Sequence, residues 1–278
     1  MKSCIKKVVF FIGRNSLEKA AGEQGLSSLA AKLKEIVPDI TNQYTMFTLD
    51  TEFLRIKARN THAFQISLVD KVMREFQKAS IVDIGDSAGT HLQYIMGLYS
   101  KEKDINVLSV NMDPEAVERI KARGLTAINA RAEDINDHNI NADLFLCFEI
   151  LEHLADPAGF LHKLSSKTDA KRLIITVPYL RKSRVGLHHI RGHHKDVINA
   201  ENTHIFELCP EDWKLIVKHA GWKIVDESVY LQYPKRGLLW VTKPLWKKFD
   251  FEGFYGMVLK KDNTWSSKYS DWRKGHDE

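Results

Sequence analysis

Between residues 79 and 261 short runs of consecutive apolar side chains alternate with segments whose apolar positions recur every three or four residues. The runs at 81–84, 106–110, 126–130, 143–148, 172–177 and 222–229 predict strands, with 256–260 as a last one. Segments 90–99, 114–123, 157–165 and 210–220 predict helices. Pro114 stands at the first helical position, where a missing N–H costs nothing, and Gly124 and Gly221 follow the last turns. Strands that are apolar on both faces and alternate with helices imply βαβ units, hence a mainly parallel sheet covered on both sides. Ahead of this region Leu26, Leu29, Leu33 and Ile36 give one helix over 16–36, closed by Pro38. Phe64, Leu68, Val72 and Phe76 share one face of another over 61–78, while 40–60 carries no clear period. No repeat, low-complexity tract or linker divides the chain, so residues 1–60 read as a mainly helical extension on one α/β domain, 61–278.

Composition narrows the class. A chain of 278 residues with 44% hydrophobic content buries a substantial core as one large or two ordinary domains. Its +5 charge comes from 41 basic against 36 acidic residues, interspersed, so an anionic partner is allowed and a nucleic-acid footprint is not expected. Cys4, Cys147 and Cys209 are odd in number and far apart, which excludes a disulfide framework and a zinc pattern and fits a reducing cytoplasm. The start, M-K-S-C-I-K-K-V-V-F-F-I-G, lacks a small-residue cleavage site and reads as a first structural element. No apolar run reaches the roughly 18 to 20 residues of a membrane span, so a soluble protein is expected.

In an open α/β sheet ligands sit beyond the carboxyl ends of the strands. The first such loop is D-I-G-D-S-A-G, residues 83–89, where glycine lets the backbone approach a ligand that a Cβ would repel. Alone it is also an ordinary strand-to-helix turn. Four further segments follow in order: V-L-S-V-N-M-D-P from 107, A-R-A-E-D-I from 130, A-D-L-F-L-C-F-E-I-L-E-H-L-A-D-P from 142, and L-I-I-T-V-P-Y from 173. Over about residues 60–230 the set resembles the class I S-adenosylmethionine-dependent methyltransferases.

The resemblance implies a Rossmann-like, seven-stranded, mostly parallel sheet with a final antiparallel strand, and S-adenosylmethionine as cofactor; the segment at about 230–253 reads as an insertion in that domain. It implies that Asp83, Gly85, Ser87 and Gly89 surround the methionine and ribose part, the Ser87 hydroxyl meeting the cofactor carboxylate. Asn111, beside Met112, stands where the family has an acid for the ribose hydroxyls; an amide oxygen accepts but lacks the charge. Asp113 reads as the cap of the helix from Pro114. Asp134 would accept from the adenine amino group, with Ala132 and Glu133 giving backbone contacts, and Cys147, Phe148 and Glu149 would floor the sulfonium.

The remaining chemistry is alignment and, for a hydroxyl acceptor, removal of a proton. Glu149, Glu152 and His153 are spaced to share one helical face, and histidine suits general base work near neutrality; His153 reads equally as a structural hydrogen-bonding group. The same three with His204 resemble the metal site of small-RNA 2′-O-methyltransferases, so a divalent ion is an alternative that is not favoured. G-L-H-H-I-R-G-H-H at 186–194, flanked by Lys182, Arg184 and Lys195, suits an anionic acceptor or is a solvated loop. The segment 230–249 mixes Trp240, Trp246 and Phe249 with five lysines and arginines; it fits a packed insertion with a basic rim, a cover for the acceptor, or peripheral contact with an anionic membrane. The expectation is a methyltransferase acting on an oxygen of a small-molecule or saccharide acceptor. The rival is a non-catalytic binding module; a nicotinamide dehydrogenase is disfavoured because G-x-G-x-x-G is missing.

Overall fold

The computed structural model describes residues 2–45, 47–185, 204–249 and 251–269. Three helices come first: α1 (Lys2–Glu23), α2 (Ser27–Ile36) and α3 (Glu52–Met73). The alternating part is β1 (Lys78–Ile84), α4 (Thr90–Tyr99), β2 (Asp104–Asn111), α5 (Pro114–Ala122), β3 (Ala127–Asn129), β4 (Leu144–Phe148), α6 (Pro157–Lys167) and β5 (Arg172–Tyr179). A two-residue antiparallel pair, β6 (Arg184–Val185) and β7 (Phe206–Glu207), precedes α7 (Pro210–His219), β8 (Trp222–Leu231), α8 (Lys243–Phe249) and β9 (Gly253–Lys261). The main sheet has seven strands in the order β3-β2-β1-β4-β5-β9-β8, parallel through β5, with β9 antiparallel to both neighbours. The order reverses between β1 and β4, which opens a crevice at their carboxyl ends.

The continuous apolar runs are explained by two cores. Leu144 and Leu146 of β4 point into the layer of α2, α3 and α4, beside Leu33, Leu68 and Leu92. Phe145 and Cys147, one residue out of phase, point into the opposite layer beside Leu161, Trp213 and Trp222. Each fully buried Leu or Phe contributes about 1.5–3 kcal/mol relative to exposure.

Two helices differ from the sequence expectation. The single helix over 16–36 is two, because the chain turns at Gly25 with φ +72°. The helix expected over 61–78 starts at Glu52, where the Thr51 hydroxyl accepts the Leu54 N–H at 3.3 Å, and Lys78 already begins β1. Its first turns escape the apolar pattern because Arg55, Lys57, Arg59 and Asn60 interrupt it, the last two polar yet buried. Arg59 shows how they are satisfied: its guanidinium donates to Leu33 O and to the Tyr94 hydroxyl. Residue 60 therefore lies inside α3, and α1 and α2 pack against it.

The segment after β8 folds back on α1. Trp246 is buried against Leu17 and Tyr233, and the Ser16 and Thr242 hydroxyls meet at 2.9 Å. The histidine-rich stretch 186–194 lies outside the described residues.

Candidate active site

At the carboxyl ends of the first four strands lies a cavity of about 810 Å³. Its wall takes Gly85, Asp86 and Ser87 from the loop after β1, Asn111 and Met112 from the end of β2, Ala132 and Glu133 after β3, and Phe148 and Glu149 from β4. Lys57, Thr61 and Gln65, one turn apart on α3, close it from the other side together with Tyr44 and Phe47.

The loop is built from inside. Gly85 has φ +87°, and a Cβ there would collide with the Ile150 side chain, so only glycine fits. Asp86 is turned inward, 3% exposed, and accepts the N–H groups of Ala88 and His91 at 3.3 and 3.0 Å, capping the first turn of α4. Gly89, φ +70°, serves packing instead, since a Cβ there would strike Leu125 and Ile120; it admits a close approach near α5 and does not line the cavity.

Beneath the loop Asp83 is 1% exposed, with His91 Nδ1 3.2 Å from its Oδ2 and 3.7 Å from Asp86 Oδ2. Burial pushes the Asp83 carboxyl up to about 6, against the pull of His91. Burial pulls the His91 imidazole down, but Asp86 and Asp83 together outweigh it and its pKa is raised. His91 Nε2 reaches Gln65 Oε1 at 3.0 Å, and its ring stands edge-on to Phe148, centroids 4.9 Å apart.

Asn111 is committed at both ends of its amide. Oδ1 accepts the Asp113 N–H at 2.8 Å, and Nδ2 donates to Asp86 O at 3.2 Å, tying the loop after β2 to the glycine loop. Asp113 caps α5, accepting the Glu115 N–H at 2.9 Å. Glu133 lines the wall beside Arg131, whereas the side chains of Asp83 and Asp134 are not part of the lining.

Beyond β4 the shared helical face expected for Glu149, Glu152 and His153 does not form. Glu149 has φ +56°, a conformation rare for a side-chain-bearing residue, and its N–H donates to Thr176 O at 2.9 Å. Only Leu151–His153 make a single tight turn. That turn sends Glu152 inward: it is 1% exposed, and neither carboxyl oxygen has a hydrogen-bond partner among the described residues. Burial, then the charges of Glu149 and Glu207, hold its pKa well above the usual range. Burial likewise pushes Glu149 up to about 8, opposed by the Thr176 hydroxyl, Lys57 and His91.

His204 completes this end. Its ring lies edge-to-face with His153 at 4.6 Å and stacks on Phe251 at 5.3 Å, and its Nδ1 meets Glu207 Oε1 at 3.0 Å. The Ile205 N–H donates to Glu152 O at 2.7 Å, which fastens the two distant segments together. Ligand atoms of Glu152, His153 and His204 all lie within 4.8 Å of one another; Glu149 is not in that group, so the four-residue metal set reduces to three.

The wall fits S-adenosylmethionine, which supplies an already activated methyl group. Gly85 presents bare backbone, Ser87 a hydroxyl, Glu133 a carboxylate and Phe148 a ring, around a volume in the range of ligand sites. Sequence reasoning missed His91, Asp86, His62 and Gln65. The available signal was the polar stripe Lys57, Thr61, Gln65 on an otherwise buried helix.

The family model of the methyltransferase domain matches residues 58–227, more than half of the chain. No curated protein matches the chain. Among solved structures, the [4+2]-cyclase SpnF shares 12% identity over 86% of this chain and 96% of its own, with a TM-score of 0.54. A putative sarcosine dimethylglycine methyltransferase from Galdieria sulphuraria shares 11% over 76% and 88%, with a TM-score of 0.53. The Burkholderia thailandensis 1,6-didemethyltoxoflavin-N1-methyltransferase, solved with S-adenosylhomocysteine, shares 15% over 73% and 77%, with a TM-score of 0.48. Likeness at such identities is likeness of fold. With the family match over its central part and the strand order seen above, the chain belongs to the class I S-adenosylmethionine-dependent methyltransferases.

Proposed function

We propose that this methyltransferase acts on an oxygen of a small-molecule or saccharide acceptor, with His153 as the general base and Glu149 beside it at the acceptor end. The observation that carries the reading is the cluster beyond β4, where two imidazoles stand edge-to-face beside a buried, unpartnered carboxyl at the cavity wall. A neutral amine attacks without first losing a proton, whereas a hydroxyl needs a base placed within hydrogen-bond reach. His153 is half-buried, so a proton taken from the acceptor has a route to solvent. Tyr44, Phe47, Phe251 and Phe254 supply apolar wall for the acceptor body.

A second reading rests on the same atoms. A divalent ion held by Glu152, His153 and His204 would satisfy the Glu152 carboxylate and acidify an acceptor hydroxyl, making His153 a ligand instead of a base. The test is transfer of a labelled methyl group from S-adenosylmethionine to a panel of hydroxylated small molecules and saccharides, with titration calorimetry of the cofactor alongside. His153→Ala should keep cofactor binding and lose transfer. Turnover insensitive to chelator supports the base; turnover lost to chelator and restored by a divalent ion supports the metal. Transfer only to amines would overturn the oxygen assignment.

A further inference from the structure

Outside the cavity the least explained feature is the ridge formed by residues 235–247. Its buried positions, Thr242 and Trp246, lie one turn apart and hold the segment on α1 through Ser16 and Leu17. Leu238, Val241 and Leu245 recur at the same helical period on the other side, 89%, 68% and 50% exposed, with Trp240 exposed beside them. One stripe therefore serves the fold, and the second faces solvent. Scattered exposed apolar residues need no explanation, but a periodic stripe of this kind marks an interaction surface.

We propose that this ridge docks on the surface of an anionic lipid bilayer. Charge selects the occupant. Residues 230–249 hold five basic and no acidic residues, a surplus equal to the +5 of the whole chain. Lys235, Arg236 and Lys247 are exposed around the stripe, and the Lys19 ammonium of α1 lies against Gly237. Lys247 also pairs with Glu252 at 3.1 Å, whereas Lys235 and Arg236 have no ion pair among the described residues. Long basic side chains extend to lipid headgroups while their stems cover apolar surface, and tryptophan suits the boundary between acyl chains and headgroups. Among the described residues no helix is long and apolar enough to cross a membrane, so the contact is in-plane and peripheral. A few residues beyond α8 in the chain, Phe251 and Phe254 line the cavity. The inference stands whichever atom the acceptor offers.

The experiment is co-sedimentation of the full chain with vesicles of phosphatidylcholine alone and of phosphatidylcholine with about 30% phosphatidylserine. Binding to the anionic vesicles is expected, about tenfold weaker to the neutral ones, and lost at about 0.5 M salt. Leu238→Asp with Val241→Asp, and separately Lys235→Glu with Arg236→Glu, should each lower the bound fraction about tenfold while circular dichroism and the thermal midpoint stay unchanged. No binding to anionic vesicles overturns the proposal, as does binding that both double variants retain. A self-association seen by sedimentation velocity, abolished by the aspartate pair and unaccompanied by vesicle binding, also overturns it and assigns the ridge to a second copy of the chain.

Discussion

At the glycine-loop end of the cavity two buried acids, Asp83 and Asp86, stand at ion-pairing distance from the imidazole of His91, and at the β4 end Glu149 and Glu152 are buried; among the described residues oxygens of Asp83, Glu149 and Glu152 alike lack a hydrogen-bond partner, so the His91 pairing is what sets the first end apart. Burial alone raises the pKa of a carboxyl at either place. The compensation differs. His91 limits the rise at Asp83 to about 6, while Glu149 reaches about 8 and Glu152 stays well above the usual range. The first end is spent on holding its own geometry, which a cofactor loop requires before any ligand arrives. The second holds carboxyls whose raised pKa values, about 8 for Glu149, fit the acceptor end proposed above. If that division is right, changes at the two ends must fail differently.

The largest effect is expected at the β4 end. His153→Ala should lower methyl transfer by about 10²–10⁴-fold, the ordinary worth of a general base, with cofactor affinity and unfolding midpoint nearly unchanged. Equal loss of cofactor affinity would erase the distinction between the ends. At the loop end the cost falls on folding instead. His91→Ala leaves Asp83 and Asp86 buried beside each other without a cation, and removal of one partner from such a group costs about 3–5 kcal/mol. Urea denaturation measures it, and a variant as stable as the wild type would show that His91 does not hold the loop.

Stability against pH separates the ends next. Glu149 and Glu152 have folded pKa values above their unfolded ones, so the folded chain binds more protons and stability falls as pH rises through the gap. For Glu149 that window runs from its ordinary 4.5 to about 8, at up to about 1.4 kcal/mol per pH unit for one group. Asp83 has the same sign but is finished by about 6. His62, held well below 6.5 by burial, works the other way, making stability rise with pH until about 6.5. His91, with a raised pKa, adds a loss as pH climbs through its folded value. Between about pH 6.5 and 8 the wild type should therefore lose stability, and Glu149→Gln with Glu152→Gln should flatten most of the slope. A wild type that gains stability there would refute the raised folded pKa values of these glutamates.

The same contrast explains what the sequence could reveal. Strands and helices whose faces are set by apolar spacing were legible: α4 runs over 90–99 as the pattern implies, and Asp113 caps α5 as its position before Pro114 suggests. The loop end was legible in its glycines but not in its support, because His91 lies on α4 and Gln65 on α3, and only the fold brings His91 to Asp83 and Gln65 to His91. The β4 end misled for a different reason. The spacing of Glu149, Glu152 and His153 is helical, yet Glu149 continues the strand pairing through its N–H to Thr176 O and then turns with a positive φ. The turn is set where β4 leaves the sheet, and no local pattern carries it.

The smallest and most discriminating change is at Asn111. If the family's acid were missing there only for want of charge, Asn111→Asp would tighten the cofactor through a charge-assisted contact with the ribose hydroxyls. The structure points the other way. Nδ2 of Asn111 donates to the carbonyl of Asp86, so a carboxylate would replace a donor with an acceptor facing another acceptor, close to the buried Asp86. Losing the bond and leaving Asp86 O unpaired should cost about 1–3 kcal/mol of stability. Oδ1 would still accept the Asp113 N–H, so α5 and its cap should remain. Calorimetry with S-adenosylhomocysteine and urea denaturation on the same variant separate the cases. Lower stability with no gain in affinity means the amide belongs to the loop's scaffold, and tighter binding at unchanged stability would mean that the loop end, too, holds groups in reserve for its ligand.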